Sequence, residues 1–138
     1  CKPSAMFKLL ATVLLALAWQ GCSKHIDDRG SAEVDFTSAK RVLSSVFYAA
    51  RTGDSAHLSS LCDPEGQANK HALRVCAQSK DGSDWDGFVR QFATGKLTGE
   101  ARTSGDRALI NFAFGESGTE PETMELIKRG DKWFLLAF

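Results

Sequence analysis

Residues 108–114 read Ala-Leu-Ile-Asn-Phe-Ala-Phe, a segment in which an apolar residue recurs at every second position from Ala108 to Phe114. Because side chains alternate between the two faces of a β-strand, this period predicts a strand with one buried face. The sequence Ser-Gly-Asp at 104–106 is a turn signal. We therefore expect residues 97–103 to form its antiparallel partner.

Two more strands are predicted towards the end of the sequence. Residues 123–129 and 132–138 flank Gly130-Asp131, a dipeptide typical of tight hairpin turns. The last segment is apolar on both faces, through Trp133, Phe134, Leu135, Leu136 and Phe138. A strand that is buried on both faces is expected at the centre of a sheet.

The preceding part of the sequence has a helical period. Apolar residues from Phe36 to Ala50 recur at spacings of three and four. This pattern predicts an amphipathic helix that is capped by Thr37 or Ser38 and ended by Gly53.

Three shorter helical segments follow the first helix. One begins at Asp54 and ends at Pro64, one spans about residues 67–78, and one begins at Ser83 with a capping box to Asp86. Helices followed by antiparallel strands predict an α+β fold, with the N-terminal helices packed on a curved antiparallel sheet.

Composition is consistent with one domain and gives no sign of a nucleic-acid partner. The sequence has 138 residues, of which 43% are hydrophobic and 25% are charged. Lys+Arg and Asp+Glu both number 17, so the formal net charge is zero. Binding to the phosphate backbone of nucleic acids requires an excess of positive charge.

A second apolar segment, residues 9–18, is uncharged and follows a lysine. It is shorter than the ~20 residues that span a bilayer and is typical of an export signal. We predict a signal-peptide helix within residues 1–21, where Met6 is the expected start of translation. A flexible tether at 22–33 and a domain at 34–138 follow.

Gly21-Cys22 resembles the lipobox of bacterial lipoproteins, in which the cysteine is acylated and the preceding peptide bond is cut. The resemblance implies a membrane anchor at Cys22. Because Ser23 is not Asp, it also implies an outer-membrane lipoprotein that faces the periplasm. Trp19 and Gln20 depart from the usual lipobox, and cleavage after Ala16-Leu17-Ala18 stays open as an alternative.

Three motifs resemble the nuclear transport factor 2-like superfamily, which includes SnoaL-type cyclases and ketosteroid isomerase. They lie at 49–54 (Ala-Ala-Arg-Thr-Gly-Asp) together with 58–64, at 105–112, and in the final hairpin at 126–134. The similarity covers residues 34–138 and extends to small bacterial lipoproteins. It implies a cone-like α+β fold with a concavity between the helices and the sheet.

The candidate cavity-lining residues are Tyr48, Trp85, Phe88, Phe112, Phe114 and Trp133. Such aromatic residues can equally fill a core. No acid can be placed deep in the concavity, because Asp106 and Asp131 fall in turns. His57 and His71 are expected at the surface. We therefore assign no catalytic residue, metal ligand or cofactor.

Cys62 and Cys76 are the cysteines of the predicted domain. Export to an oxidising compartment favours a disulfide between them, and two buried reduced thiols are the alternative. The charged residues Lys128, Arg129 and Lys132 are expected to form a solvated hairpin tip.

Together these observations favour a non-catalytic lipoprotein of the cell envelope that binds a small apolar ligand, a peptide or a protein partner. Two alternatives stay open. One is an isomerase- or hydrolase-type enzyme similar to SnoaL proteins, which would use the cone cavity. The other is an interaction module that forms homodimers through an open sheet face.

Overall fold

The computed structural model describes residues 33–138. The predicted signal peptide, Cys22 and the tether up to residue 32 lie outside these residues. The described part contains three α-helices followed by a five-stranded antiparallel sheet, which confirms the predicted α+β class. Within residues 33–138, no helix combines the length and apolar character needed to cross a membrane.

The elements follow one another in two groups. The helices are α1 (Ala39–Thr52), α2 (Lys70–Cys76) and α3 (Trp85–Phe92), with a 3₁₀ turn at Leu58–Ser60. The strands are β1 (Lys96–Leu97), β2 (Arg102–Ser104), β3 (Arg107–Phe114), β4 (Glu120–Arg129) and β5 (Lys132–Ala137). The order in the sheet is β1-β3-β4-β5, and β2 also pairs with β3.

Helix α1 forms as its apolar period predicts. Its cap is Ser38, whose hydroxyl accepts a hydrogen bond from the Arg41 N–H (3.2 Å). At the other end Gly53 adopts a φ of 82°, and its N–H donates to the Ala49 carbonyl (2.9 Å). The buried face of the helix includes Val42, Leu43, Val46 and Phe47.

The next two helical segments are shorter than predicted. Between Asp54 and Pro64 the helix is a single 3₁₀ turn, although Leu58 is buried as expected. Helix α2 begins only at Lys70, because the side chain of Asn69 accepts a hydrogen bond from the Ala72 N–H (2.9 Å) and caps the helix there.

The capping box predicted for Ser83 and Asp86 is wrong. Helix α3 has Asp84 at its capping position, without a side-chain hydrogen bond. Ser83 therefore precedes the capping position by one residue and cannot act as the serine of a capping box, although Asp86 follows it at the right spacing.

The sheet differs from the sequence expectation at two strands. The predicted partner of β3 is split into β1 and β2, which pair with opposite ends of β3. Strand β4 begins at Glu120, earlier than predicted, and accommodates Pro121 opposite Ala113. The proline is tolerated because β5 pairs with β4 only from Glu125 onward, so this part of β4 has one partner strand.

The prediction that the last strand is central is wrong, because β5 lies at the end of the sheet order. Its outer edge pairs with loop residues. The Leu135 N–H donates to the Leu61 carbonyl (2.7 Å), and the Asp63 N–H donates to the Leu135 carbonyl (3.1 Å). The Asn69 N–H donates to the Leu136 carbonyl (2.7 Å). Residues 61–69, which we call the strap, thus cover the edge that a neighbouring strand would occupy.

The core lies between α1, α3 and one face of the sheet. Phe47 of α1 packs against Phe112 of β3, with ring centroids 5.8 Å apart. Gly95 follows α3 and approaches the same ring closely: a Cβ atom placed on it would lie 2.2 Å from Cδ1 of Phe47. Only glycine fits at that position without displacing the core.

Candidate functional site

A groove of about 970 Å³ lies between α2, α3 and the end of the sheet. Its apolar floor consists of four phenylalanines, Phe88, Phe92, Phe114 and Phe138. Phe88 and Phe92 are one helical turn apart on α3, so they share a face of that helix. The last two side chains are half-buried and present part of their rings to the groove.

The four rings of the floor support one another. Ring centroids are 5.1 Å apart for Phe88 and Phe92, 5.2 Å for Phe92 and Phe114, and 6.3 Å for Phe92 and Phe138. These separations fall within the range in which aromatic pairs attract one another. The floor is therefore a packed aromatic surface that α3, β3 and the residue after β5 build together.

Helix α2 forms one wall of the groove and is attached at both ends. At its start, the Asn69 amide donates to the Phe138 carbonyl (3.2 Å). At its end, Cys76 is joined to Cys62 of the strap by a disulfide, with a Cα–Cα distance of 6.2 Å. His71 lies between these points, and its ring centroid is 5.8 Å from that of Phe138. The disulfide and the strap thus hold this wall against the sheet.

Charged side chains surround the aromatic floor. Four acids line the groove: Asp84 and Asp86 near the start of α3, Glu116 after β3, and Glu122 on β4. The cationic side chains in the lining are Arg74 of α2 and Arg90 of α3. Arg90 lies 3.7 Å from Glu116, and both side chains are largely exposed.

The six candidate cavity-lining residues do not lie together. Phe88 and Phe114 line the groove. Trp85, Phe112 and Trp133 are buried members of the hydrophobic core and do not contribute to the groove lining. Trp85 contacts the floor from behind, because its ring centroid is 5.0 Å from that of Phe88.

Tyr48 lies in a separate indentation that shares no lining residue with the groove. Asp54 and His57 also line this indentation, so it holds a phenol, a carboxylate and an imidazole. Its volume is about 10 Å³, which is close to the space of one water molecule and too small for an organic substrate.

Phe138 and the acids of the groove were not identified from the sequence. Phe138 follows the last strand, where the alternation of β5 gives no indication that it turns towards α2. The acids come from three separate segments of the chain, and no local spacing connects them. The aromatic period of α3 and the alternation of β3, which singled out Phe88 and Phe114, indicated part of this site in advance.

A buried ion pair between Asp63 and Arg129 fixes the strap to β4. The Arg129 guanidinium donates to both carboxylate oxygens at 2.9 Å, and the Asp63 side chain has no exposed surface. These bonds, aided by backbone N–H donors of Glu65 and Gln67, lower the pKa of Asp63 to about 2, although desolvation opposes the shift. The prediction that Arg129 belongs to a solvated tip is therefore wrong: its side chain is only 25% exposed and is engaged with the strap.

Within residues 33–138, no group of three or more His, Cys, Asp or Glu side chains could hold a metal ion. Large apolar side chains in this part of the chain are exposed only at Leu73 of α2 and Leu109 of β3. These two lie on separate elements.

Comparisons of the sequence with family models and with curated proteins found no match. Among solved structures, the chain is similar to a SEC-C motif containing protein from Rhodopseudomonas palustris, determined in solution. The two share 16% identity with a TM-score of 0.47, and the alignment covers 72% of this chain and 76% of the other.

Proposed function

We propose that this protein is a non-catalytic lipoprotein of the bacterial cell envelope, anchored through Cys22, whose groove between α2 and α3 binds apolar groups of a ligand. We also propose that its domain is a cone-like member of the nuclear transport factor 2-like superfamily. The single observation that carries the binding function is the aromatic floor of the groove.

The size and chemistry of the groove support a binding role. Ligand sites are commonly about 300–1,000 Å³, with apolar linings and a few polar groups that orient the ligand. The groove has about that volume, and its four phenylalanines are ringed by charged and amide side chains. A ligand that covers the exposed parts of Phe114 and Phe138 removes apolar surface from water, which stabilises the complex by roughly 25 cal/mol per Å².

Gly87 provides a direct test of this function. It lines the groove from α3, and a Cβ atom placed on it meets nothing within 4 Å. The Gly87→Trp variant therefore places an indole in the groove without disturbing the core. The Gly87→Ala variant is the matched control, since it changes the same helical position without filling the groove.

Binding can be measured by the fluorescence of a neutral apolar probe, N-phenyl-1-naphthylamine. Residues 22–138 with Cys22→Ser, exported behind an ordinary cleavable signal peptide, serve as the background, because this protein carries neither the lipid nor the apolar leader and stays in solution without detergent. We expect Gly87→Ala to retain the affinity and Gly87→Trp to reduce it at least tenfold. Equal affinities of the two variants would refute binding in the groove.

The proposed anchor is tested separately by labelling cells with radioactive palmitate. We expect label in the wild-type protein and none in the Cys22→Ser variant. Equal labelling of both would refute lipidation at Cys22 and leave the groove experiment unaffected.

A further inference from the structure

We propose that the ligand of the groove is a peptide segment in which apolar or aromatic side chains are flanked by Lys or Arg. This inference rests on the proposed function and specifies its ligand. It is carried by the unequal charge of the residues around the aromatic floor.

The unmatched charge of the groove is mainly negative. Asp84, Asp86 and Glu122 are exposed, and within residues 33–138 none of them forms an ion pair. In the same part of the chain, Arg74 is the one guanidinium of the lining that has no such partner, because Arg90 pairs with Glu116. Three carboxylates thus face solvent around the floor against one unpaired guanidinium, and a ligand with cationic groups complements this distribution.

The aromatic floor favours the same ligand. The acids and the four rings line the same groove, so a Lys or Arg side chain of a ligand can also approach the π-faces of the floor, which attract a cation. The stems of these side chains are apolar and can lie along Phe114 or Phe138. A basic and aromatic segment therefore uses both the floor and the rim.

The open shape of the groove favours a peptide over a small molecule. Small ligands are usually bound with 70–90% of their surface buried, and a groove that is partly open to solvent encloses a small ligand less completely. Its walls carry neutral hydrogen-bonding side chains at Gln78, Ser83 and Gln91. Amide and hydroxyl groups of this kind can bond the peptide groups of an extended chain.

Three capped pentapeptides with a fluorescent label test the proposal: Lys-Phe-Gly-Phe-Lys, Glu-Phe-Gly-Phe-Glu and Lys-Ser-Gly-Ser-Lys. Affinities are measured by anisotropy with the same soluble protein, residues 22–138 with Cys22→Ser. Two exposed ion pairs predict that the Lys-Phe peptide binds about three- to tenfold more tightly than the Glu-Phe peptide. Because salt screens exposed charges, the preference is expected to disappear at ~1 M NaCl.

Substitution of the three unpaired acids tests whether they cause the preference for the Lys-Phe peptide. In Asp84→Asn/Asp86→Asn/Glu122→Gln, the Lys-Phe peptide is expected to lose its advantage over the Glu-Phe peptide. Asp81→Asn is the matched control, since this exposed acid precedes α3 but does not line the groove. Thermal unfolding of each variant verifies that it is folded.

The possible outcomes separate the two proposals. Equal binding of both Phe-containing peptides, or tighter binding of the Glu-Phe peptide, would overturn the charge preference and leave apolar binding in the groove intact. If neither binds more tightly than the Lys-Ser peptide while N-phenyl-1-naphthylamine still binds, the ligand is not a peptide of this kind. If the neutral probe also fails to bind, the proposed function itself is refuted.

Discussion

Replacing Asp63 by Asn removes the charge that joins the strap to β4 while preserving the shape of the side chain. The carboxylate has no exposed surface, accepts two hydrogen bonds from Arg129, and accepts one each from the N–H groups of Glu65 and Gln67. An asparagine keeps one acceptor oxygen but turns an amide towards the guanidinium. The Asp63→Asn variant therefore loses the ion pair and part of the backbone hydrogen bonding.

The lowered pKa of Asp63 sets the size of the effect. The pKa falls from 3.8 to about 2 on folding, and one pKa unit corresponds to about 1.4 kcal/mol, so the charged form contributes about 2 kcal/mol. Because the folded-state pKa is the lower one, this stabilisation is complete above pH 3.8 and is lost as the pH falls towards 2. The cost of the substitution should follow the same curve.

Urea unfolding of the wild type and the Asp63→Asn variant at several pH values measures this dependence. We expect the difference in unfolding free energy to be about 2 kcal/mol at neutral pH and to decline between pH 4 and pH 2. Glu65→Gln is the control, because Glu65 is 63% exposed and lies 3.4 Å from the same guanidinium. Exposed pairs of this type contribute at most about 1 kcal/mol. A difference that does not vary with pH would show that the charge of Asp63 is not what stabilises the strap.

Three further variants test the packing and the strap. Gly95→Ala is expected to lower the unfolding free energy by about 3 kcal/mol, since its Cβ would lie 2.2 Å from the ring of Phe47, which is 1% exposed. Gly87→Ala, whose Cβ has open space, is expected to stabilise the protein by up to about 1 kcal/mol. Chemical denaturation measures both variants, and equal stabilities would contradict the close contact of Gly95 with Phe47. Replacing Cys62 and Cys76 together by Ala opens a loop with a sequence separation of 14 and is expected to cost about 3 kcal/mol. The variant without the disulfide is also expected to bind N-phenyl-1-naphthylamine more weakly, because α2 loses its attachment to the strap. An unchanged affinity would show that the disulfide does not support the groove wall.

The elements with strong local signals could be predicted from the sequence. Helix α1 has an apolar period, a capping serine and a left-handed glycine, and each of these acts within a few residues. Strand β3 alternates between buried and more exposed side chains from Arg107 to Phe112, as its sequence predicts. Where the signal was weaker, as at Ser83, the helix began one residue away from the predicted cap.

The position of β5 shows what a local pattern cannot provide. Burial on both faces of this strand was correctly expected for Trp133 and Leu136, but burial of the faces does not reveal which segment pairs with the outer edge of a strand. Here the covering segment is the strap, which is held by Asp63 and by the disulfide. A polar and turn-rich segment of this kind has no apolar period, so its pairing with Leu135 depends on contacts that are distant in sequence.

The groove also depends on contacts that are distant in sequence, because the strap holds one of its walls. Its floor is largely built from residues with strong local patterns, whereas its wall is α2, a helix of seven residues. Isolated helices this short are not stable in water, so α2 must be held by its cap, by the buried Ala72 and Val75, and by the disulfide at Cys76. A change that loosens the strap should therefore weaken ligand binding even when no residue of the floor is altered. It follows that the Asp63→Asn variant should bind the neutral probe less tightly than the wild type near pH 7, and that the two affinities should converge as the pH approaches the pKa of Asp63.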